Sequence, residues 1–486
     1  MKKNLFMVAT VALMAMVSCN KEEINNGAEA TKPSYYVEFT AEIVDDNTET
    51  VPTPANAQTR TSYDASSKTT RWTTGDLISV NGKKFEIKEL SSDGLSASFI
   101  NAEELGEDFK APYTAIYPYN TTSGTAVVPT EQTVSNGTFP EESVVTIAYS
   151  ASDNVLSFKH VCSVVKFQVA TEGVNELTFS SATNIAGTIS VNANNGGEPS
   201  YTTTSGSKTI TVKPANGTFK TNEIYYVSVL PTTTAQKFEI KAEGVTVKSG
   251  DVTFKRNKVM DAKILTVNYV YVRPSAHWRY ESARFAAYFY QGDQNIWVNL
   301  TFVESNVYRA VCPEGYGTVI FCRMNPKATE NKWENKWNQT NDLVVSTNIG
   351  KVYLVKHLTW DKGEGSWTSL DSAKKYFEPV VYFDANGWET SSAKLAVYLC
   401  NGTASAKWIQ LNHFINKLYA AELPSKFDAS LYKNIIFVRK PSDASLDWNN
   451  IWNQTSDLSC SEIVGGKFCC KPSKVESYCS VSWSKW

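Results

Sequence analysis

The chain has no surplus of charge with which to hold a charged partner. Its 47 Lys and Arg are matched by 49 Asp and Glu across 486 residues, a formal net charge of −2 with no long run of either sign. A nucleic-acid binder needs a basic face that displaces counterions, so no nucleic-acid partner is expected. Histidine is scarcer still: His160, His277, His357 and His413 sit in unrelated contexts, and no His-x-x-Glu-His or Gly-x-Ser-x-Gly motif occurs. The nine cysteines lack metal-ligand spacing. Reduced core cysteines are the default expectation for the eight that follow Cys19, although Cys312 and Cys322 are close enough in sequence to bridge between successive strands. A glycosidase needs two carboxylates across one bond, and only the Asp342/Asp457 landmark recurs in the duplicated part of the chain. No catalytic residue, metal or cofactor is therefore expected.

Long apolar runs are also missing. The one at Leu5 to Val17 is too short to cross a bilayer as a permanent helix, and it follows Lys2-Lys3 as in an export signal. Tryptophan is nearly absent from the front of the chain: of thirteen, only Trp72 precedes position 278. Such crowding beside Asn and Gln, on a chain of balanced charge, points to an uncharged ligand with an apolar face and a polar rim. Buried Trp explains some of the crowding, and a purely core role for these rings is the alternative.

A repeat organises the Trp-rich part. Trp337-Asn338-Gln339-Thr340 returns 115 positions later as Trp452-Asn453-Gln454-Thr455. Ile320-Phe321-Cys322-Arg323 answers Ile436-Phe437-Val438-Arg439, Trp333 answers Trp448, and Asp342 answers Asp457. Further upstream the offset falls to 111 for Trp297/Trp408 and Tyr308/Tyr419, then to 110 for Trp278/Trp388 and Tyr288/Tyr398. Ordered landmarks with a drifting offset describe a duplicated domain with altered loops.

The rest reads as all-β. Short alternating runs such as Val164 to Val169 and Thr209 to Val212 recur between Gly, Asn, Ser and Pro turns, and no window keeps a 3.6-residue period. Consecutive antiparallel β-sandwiches are expected. The boundaries are a leader at 1–18, a tether at 19–34, sandwiches at 35–150 and 151–267, and repeat modules at 268–370 and 379–486. A short linker, 371–378, separates the modules.

Met16-Val17-Ser18-Cys19 resembles the lipobox of bacterial lipoproteins, which implies acylation of Cys19. Asn20-Lys21-Glu22-Glu23 resembles the export signal of Bacteroidetes surface lipoproteins, so a lipid-anchored, cell-surface location on the outer membrane is expected. Thr59-Arg60-Thr61, Arg71 to Asp76, Ala115 to Tyr119, Leu156 to His160 and Tyr225 to Pro231 follow in the order seen in the fimbrillin family of Bacteroidetes surface proteins. That resemblance implies two consecutive β-sandwiches with a break near Tyr149 to Asn154. It also makes Arg60 a candidate processing site, with fimbrial subunits as partners by strand addition. A chain that continues into Trp-rich modules suits a tip or anchor rather than a shaft.

The module order of aromatic strand, Trp, alternating strand, Ile-Phe strand and Asn-Gln-Thr is similar to family-26 carbohydrate-binding modules, which bind starch and related α-glucans. The resemblance implies a platform of Tyr271 and Trp278 with Gln339 on a hydroxyl, and of Tyr382 and Trp388 with Gln454 in the second copy. Trp337 and Trp452 join the candidate site, with one Trp of each signature pair (Trp333/Trp337, Trp448/Trp452) expected to pack inward. Arg323 and Arg439 are expected in structural ion pairs. The partner implied is an α-glucan polysaccharide, or in the adhesin alternative a host or microbial glycan.

Overall fold

The structure is a computed structural model that describes residues 36–43, 62–64, 69–140, 143–359, 362–464, 467, 469–473 and 475–484. Cys19, Arg60, the leader and the tether lie outside the described residues. The fold is all-β, and among the described residues helices are confined to short turns.

The first body is a closed barrel, in strand order Glu38–Ile43, Val155–His160, Thr146–Ser150, Tyr113–Tyr117, Leu77–Val80, Lys83–Leu90 and Ser96–Asn101. Alternation turns Phe39, Phe85, Phe99 and Phe158 inward around Trp72, whose ring meets Phe99, Tyr117 and Phe158 edge-on at 5.1 to 5.4 Å. Inclined contacts of this kind are the favoured geometry for aromatic pairs.

The expected break at 149–154 is corrected: it is a hairpin turn inside this barrel, where Thr146 pairs with His160. Ser150 Oγ donates to Asp153 O at 2.7 Å and Asn154 Nδ2 to Glu38 O at 2.9 Å. Ser, Asp and Asn favour turns because their side chains bond nearby backbone, so a hairpin turn and a linker look alike in sequence. The boundary at 150 fails a second time. Thr125–Val128 and Glu131–Val134 leave the barrel to pair with Ala186–Asn192 and, in parallel, with Thr209–Pro214 of the second body.

Each repeat module is two packed sheets. In module one the inner sheet orders Thr301–Glu304, Val307–Val311, Tyr269–Arg273, Val352–Val355 and Gly365–Thr368. The other orders Gln294–Asn299, Arg284–Gln291, Thr318–Met324 and Lys336–Gln339. Module two repeats this plan with two differences: Lys407–Ile415 runs unbroken from one sheet into the other, where module one breaks at Leu300, and Tyr478–Cys479 adds a strand parallel to Asn453–Thr455. Pairing is mostly antiparallel, but Tyr269–Arg273 lies parallel to Val352–Val355 and Val380–Asp384 parallel to Cys469–Cys470.

The 371–378 segment is not a free linker. It begins in the Leu370–Lys374 turn, capped by Ser369 Oγ accepting from Ser372 N, and ends on Glu378 in the junction between modules. Both Glu378 oxygens accept from Ala276 N at 2.8 Å, with Arg279 at 3.9 Å and Arg273 at 4.0 Å. Ala276, Val380, Tyr382, Leu418 and Ala420 close an apolar layer there. The eight described cysteines are all buried, and none of them forms a disulfide.

Candidate functional site

Three of the four expected platform aromatics are buried. Trp278 and Trp388 have no exposed surface. The Ala276–Arg279 turn tips Trp278 into the open end of the sandwich, where its indole N–H donates to Thr359 O at 3.1 Å. Trp388 packs against Phe383 at 5.3 Å. Tyr382 is fully buried in the junction, 5.6 Å from Phe414, which in turn meets His277 edge-on at 5.2 Å. Tyr271 is half-buried beside Tyr269 at 6.2 Å. The platform expectation for Trp278, Trp388 and Tyr382 is therefore corrected, because a ring enclosed on both faces has none to offer a ligand.

The outer face of the second sheet gathers different aromatics. Strand parity sends Phe285, Ala287 and Phe289 inward, and Ala286, Tyr288 and Tyr290 outward. Trp297 stands opposite Tyr288, and the 325–335 loop lays Trp333 over both. The three rings meet at 4.7 to 4.9 Å with planes inclined 57 to 64°. Module two builds the same triad from Tyr398, Trp408 and Trp448 at 4.7 to 5.0 Å. Trp333 keeps 39% of its surface exposed and Trp448 44%.

Amides flank the triads. Across module one the register runs Asn299, Ala286, Cys322, Gln339, one residue on each of four strands. Across module two it runs Gln410, Ala396, Val438, Gln454, and continues to the exposed Tyr478 on an added strand. An amide thus closes each end of the row beside the triad, about 14 Å apart at roughly 4.8 Å per strand. Gln339 and Gln454 stand on this face, as half-buried side chains. Asn299 and Gln410 were legible only through register, which no local pattern carries.

Cations seat the loops that carry Trp333 and Trp448. Arg284 donates to the carbonyls of Asn325 (3.2 Å), Ala328 (2.6 Å) and Glu330 (2.6 Å), pinning the 325–335 loop. In module two Lys394 takes Ala444 O at 2.6 Å, and the fully buried Lys440 takes Asp447 Oδ1 at 3.0 Å and two loop carbonyls.

Neither Trp of a signature pair packs inward. Trp337 is 36% exposed and covers the Arg323 guanidinium at 4.4 Å, while Trp452 is 39% exposed over Arg439 at 5.0 Å. Arg323 has the expected ion pair, with Glu281 at 3.4 Å. Arg439 has none among the described residues.

Burial shifts titratable groups in the junction between the modules. Burial pushes the His277 imidazole down to about 3, and it bonds Thr359 O at 2.6 Å and Ser275 Oγ at 3.0 Å. Burial pushes the Glu378 carboxyl up, opposed by the Ala276 amide and the two arginines. Among the described residues no cluster of His, Cys, Asp and Glu could hold a metal ion, and no helix is long and apolar enough to cross a membrane.

No known family's sequence profile matches the chain, and no curated protein matches it. Among solved structures it is similar to a protein provisionally assigned to cell adhesion from Bacteroides uniformis, at 16% identity over 40% of this chain and 88% of that one, TM-score 0.27. A fimbrial protein from Bacteroides ovatus is similar at 14% identity over 41% and 48%, TM-score 0.21. The glycogen-degrading pneumococcal virulence factor SpuA is similar at 9% identity over 57% and 36%, TM-score 0.15. Each is a likeness of fold at low TM-score, and none speaks to a ligand.

Proposed function

We propose that this protein is a non-catalytic surface adhesion lipoprotein, anchored through Cys19, whose paired modules bind neutral glycan on their outer aromatic faces. The duplicated triad is the observation that carries the reading. Three large rings left on the outer face of a sheet cost solvation in both modules, and exposed apolar patches of this kind mark interaction sites. A sugar ring has an apolar C–H face that aromatics cover and a hydroxyl rim that amides serve as donor and acceptor. Asn299 and Gln339, or Gln410 and Gln454, stand where that rim would fall. Rings inclined near 60° cannot lie flat beneath an extended ribbon of sugars, which favours a coiling α-glucan, as the resemblance to family-26 modules implies.

The test is binding of the full chain to insoluble starch and to maltooligosaccharide. Trp333→Ala and Trp448→Ala should each weaken binding by roughly 2 kcal/mol at its own module, as removal of a central aromatic anchor does. The thermal melt should stay unchanged. Starch binding that survives the double variant, or is absent from the native chain, overturns the reading.

The fimbrial alternative has one favouring observation. The Glu38–Ile43 strand lies between Val155–His160 and Ser96–Asn101, and it is amino-terminal to Arg60. A cut at Arg60 would free this strand and open two edges for a strand from another subunit. Arginine-specific proteolysis should then yield oligomers on a sizing column. A cleaved chain that stays monomeric, or an uncleaved Arg60, removes that alternative.

A further inference from the structure

We infer that module two carries a second seat, at the Arg439–Trp452 stack, for a carboxylate-bearing sugar that module one cannot hold. The inference rests on the modules being glycan binders and adds a ligand class to one of them.

The two stacks occupy the same place in the repeat, on the side of the sheet away from the triads, yet their guanidinium groups are not equally engaged. An arginine offers five N–H donors. Arg323 is 3% exposed, with Nε donating to Trp278 O at 2.8 Å and the terminal nitrogens to Tyr280 O at 2.6 Å, Asn338 Oδ1 at 3.4 Å and Glu281 Oε2 at 3.4 Å. Its charge is matched and at least four of its five donors are engaged. Arg439 is only half-buried. Its terminal nitrogens reach Asn453 Oδ1 at 3.1 Å and the Thr390 hydroxyl at 3.3 Å, and its Nε, although shielded from solvent, has no hydrogen-bond partner.

The acid of module one has no counterpart. Where Arg323 meets the Tyr280 carbonyl and the Glu281 carboxylate, Arg439 meets the neutral Thr390. Neighbouring acids are turned elsewhere: Glu389 accepts from Gly387 N at 2.7 Å and Asp447 is held by Lys440 at 3.0 Å. Among the described residues no carboxylate lies within ion-pair distance of Arg439.

A buried or half-buried cation without a counter-charge is costly unless a ligand supplies one. The guanidinium fork matches a carboxylate in two parallel bonds. Beside it, the exposed indole of Trp452 offers a flat face for the C–H side of the same sugar. A uronic acid presents both groups on one ring, whereas a neutral glucan presents only the second.

The experiment titrates the native full chain with an oligogalacturonide, a sulfated oligosaccharide and a maltooligosaccharide. Oligogalacturonide should bind, more weakly as salt rises. Arg439→Gln, and separately Thr390→Glu at an exposed position, should each reduce that affinity about tenfold to hundredfold, the range of a charge-assisted contact, with maltooligosaccharide affinity unchanged. Failure of the native chain to bind oligogalacturonide overturns the inference, as does unchanged affinity in both variants. Tighter, Arg439-dependent binding of the sulfated sugar overturns the carboxylate assignment. Loss of maltooligosaccharide binding alone counts against the outer-face reading and leaves the Arg439 comparison standing.

Discussion

The two modules present the same outer face on different supports. Both place a Tyr and two Trp at nearly identical ring spacings, and both close the adjoining row with amides. Beneath that face the chemistry has changed. One arginine, Arg284, pins the loop in module one, while Lys394 and the buried Lys440 share the task in module two, Lys440 standing where module one has Met324. On the other side of the sheet, Arg323 is ion-paired with Glu281, and Arg439 has no ion pair among the described residues. Aromatic geometry kept while its supports are replaced is what a shared binding role would require. A face that served only to cover the sheet would not need the rings held at the same spacing. The edge at Arg439, where the copies differ in charge, is where their ligands should differ.

The sharpest way to break the comparison is to truncate the buried pair. Trp278→Ala and Trp388→Ala should each destabilise the module concerned by about 3–5 kcal/mol, as removal of a large core aromatic does, with binding lost only through unfolding. Denaturant titration of the full chain decides it. An unchanged melt with lost starch binding would instead put these rings in contact with sugar, as the family resemblance implies.

A smaller effect separates the modules by pH. His277 stands just before Trp278, where module two has Gly387 before Trp388. With its folded-state value near 3 against an ordinary 6.5, the imidazole is neutral in the fold and gains a proton on unfolding. Its contribution is therefore complete above pH 6.5 and is lost as pH falls towards 3, amounting to about 2 kcal/mol by pH 5. His277→Gln should flatten that dependence in thermal melts between pH 7 and pH 5. Equal slopes for the native chain and the variant would show that His277 is not held neutral in the junction.

Much of this architecture is legible in the residues. Alternation and turn chemistry mark an all-β chain, and the drifting offset marks a duplicated domain, because both signals are local or repeat along the chain. Tyr288, Trp297 and Trp333 recur as landmarks of the repeat, so the ingredients of the triad are visible too. Their role is not. Trp278 and Trp297 each belong to a strand or the turn after one, and the residue pattern around them makes both equally good platforms.

What separates them is closure. Trp278 is enclosed because a four-residue turn tips it over the open end of two sheets, whereas Trp297 stands on the face turned away from the partner sheet. Period-two alternation assigns residues to faces, yet which face meets another sheet depends on strands far away in sequence. The same holds for the row from Asn299 to Gln339, which exists only through register between four strands, and for Glu378, which reads as linker until two modules close on it. Residue identity alone set the inventory of rings, amides and cations. Only the packing of one sheet on another, and of one module on the next, decided which of them are left facing solvent.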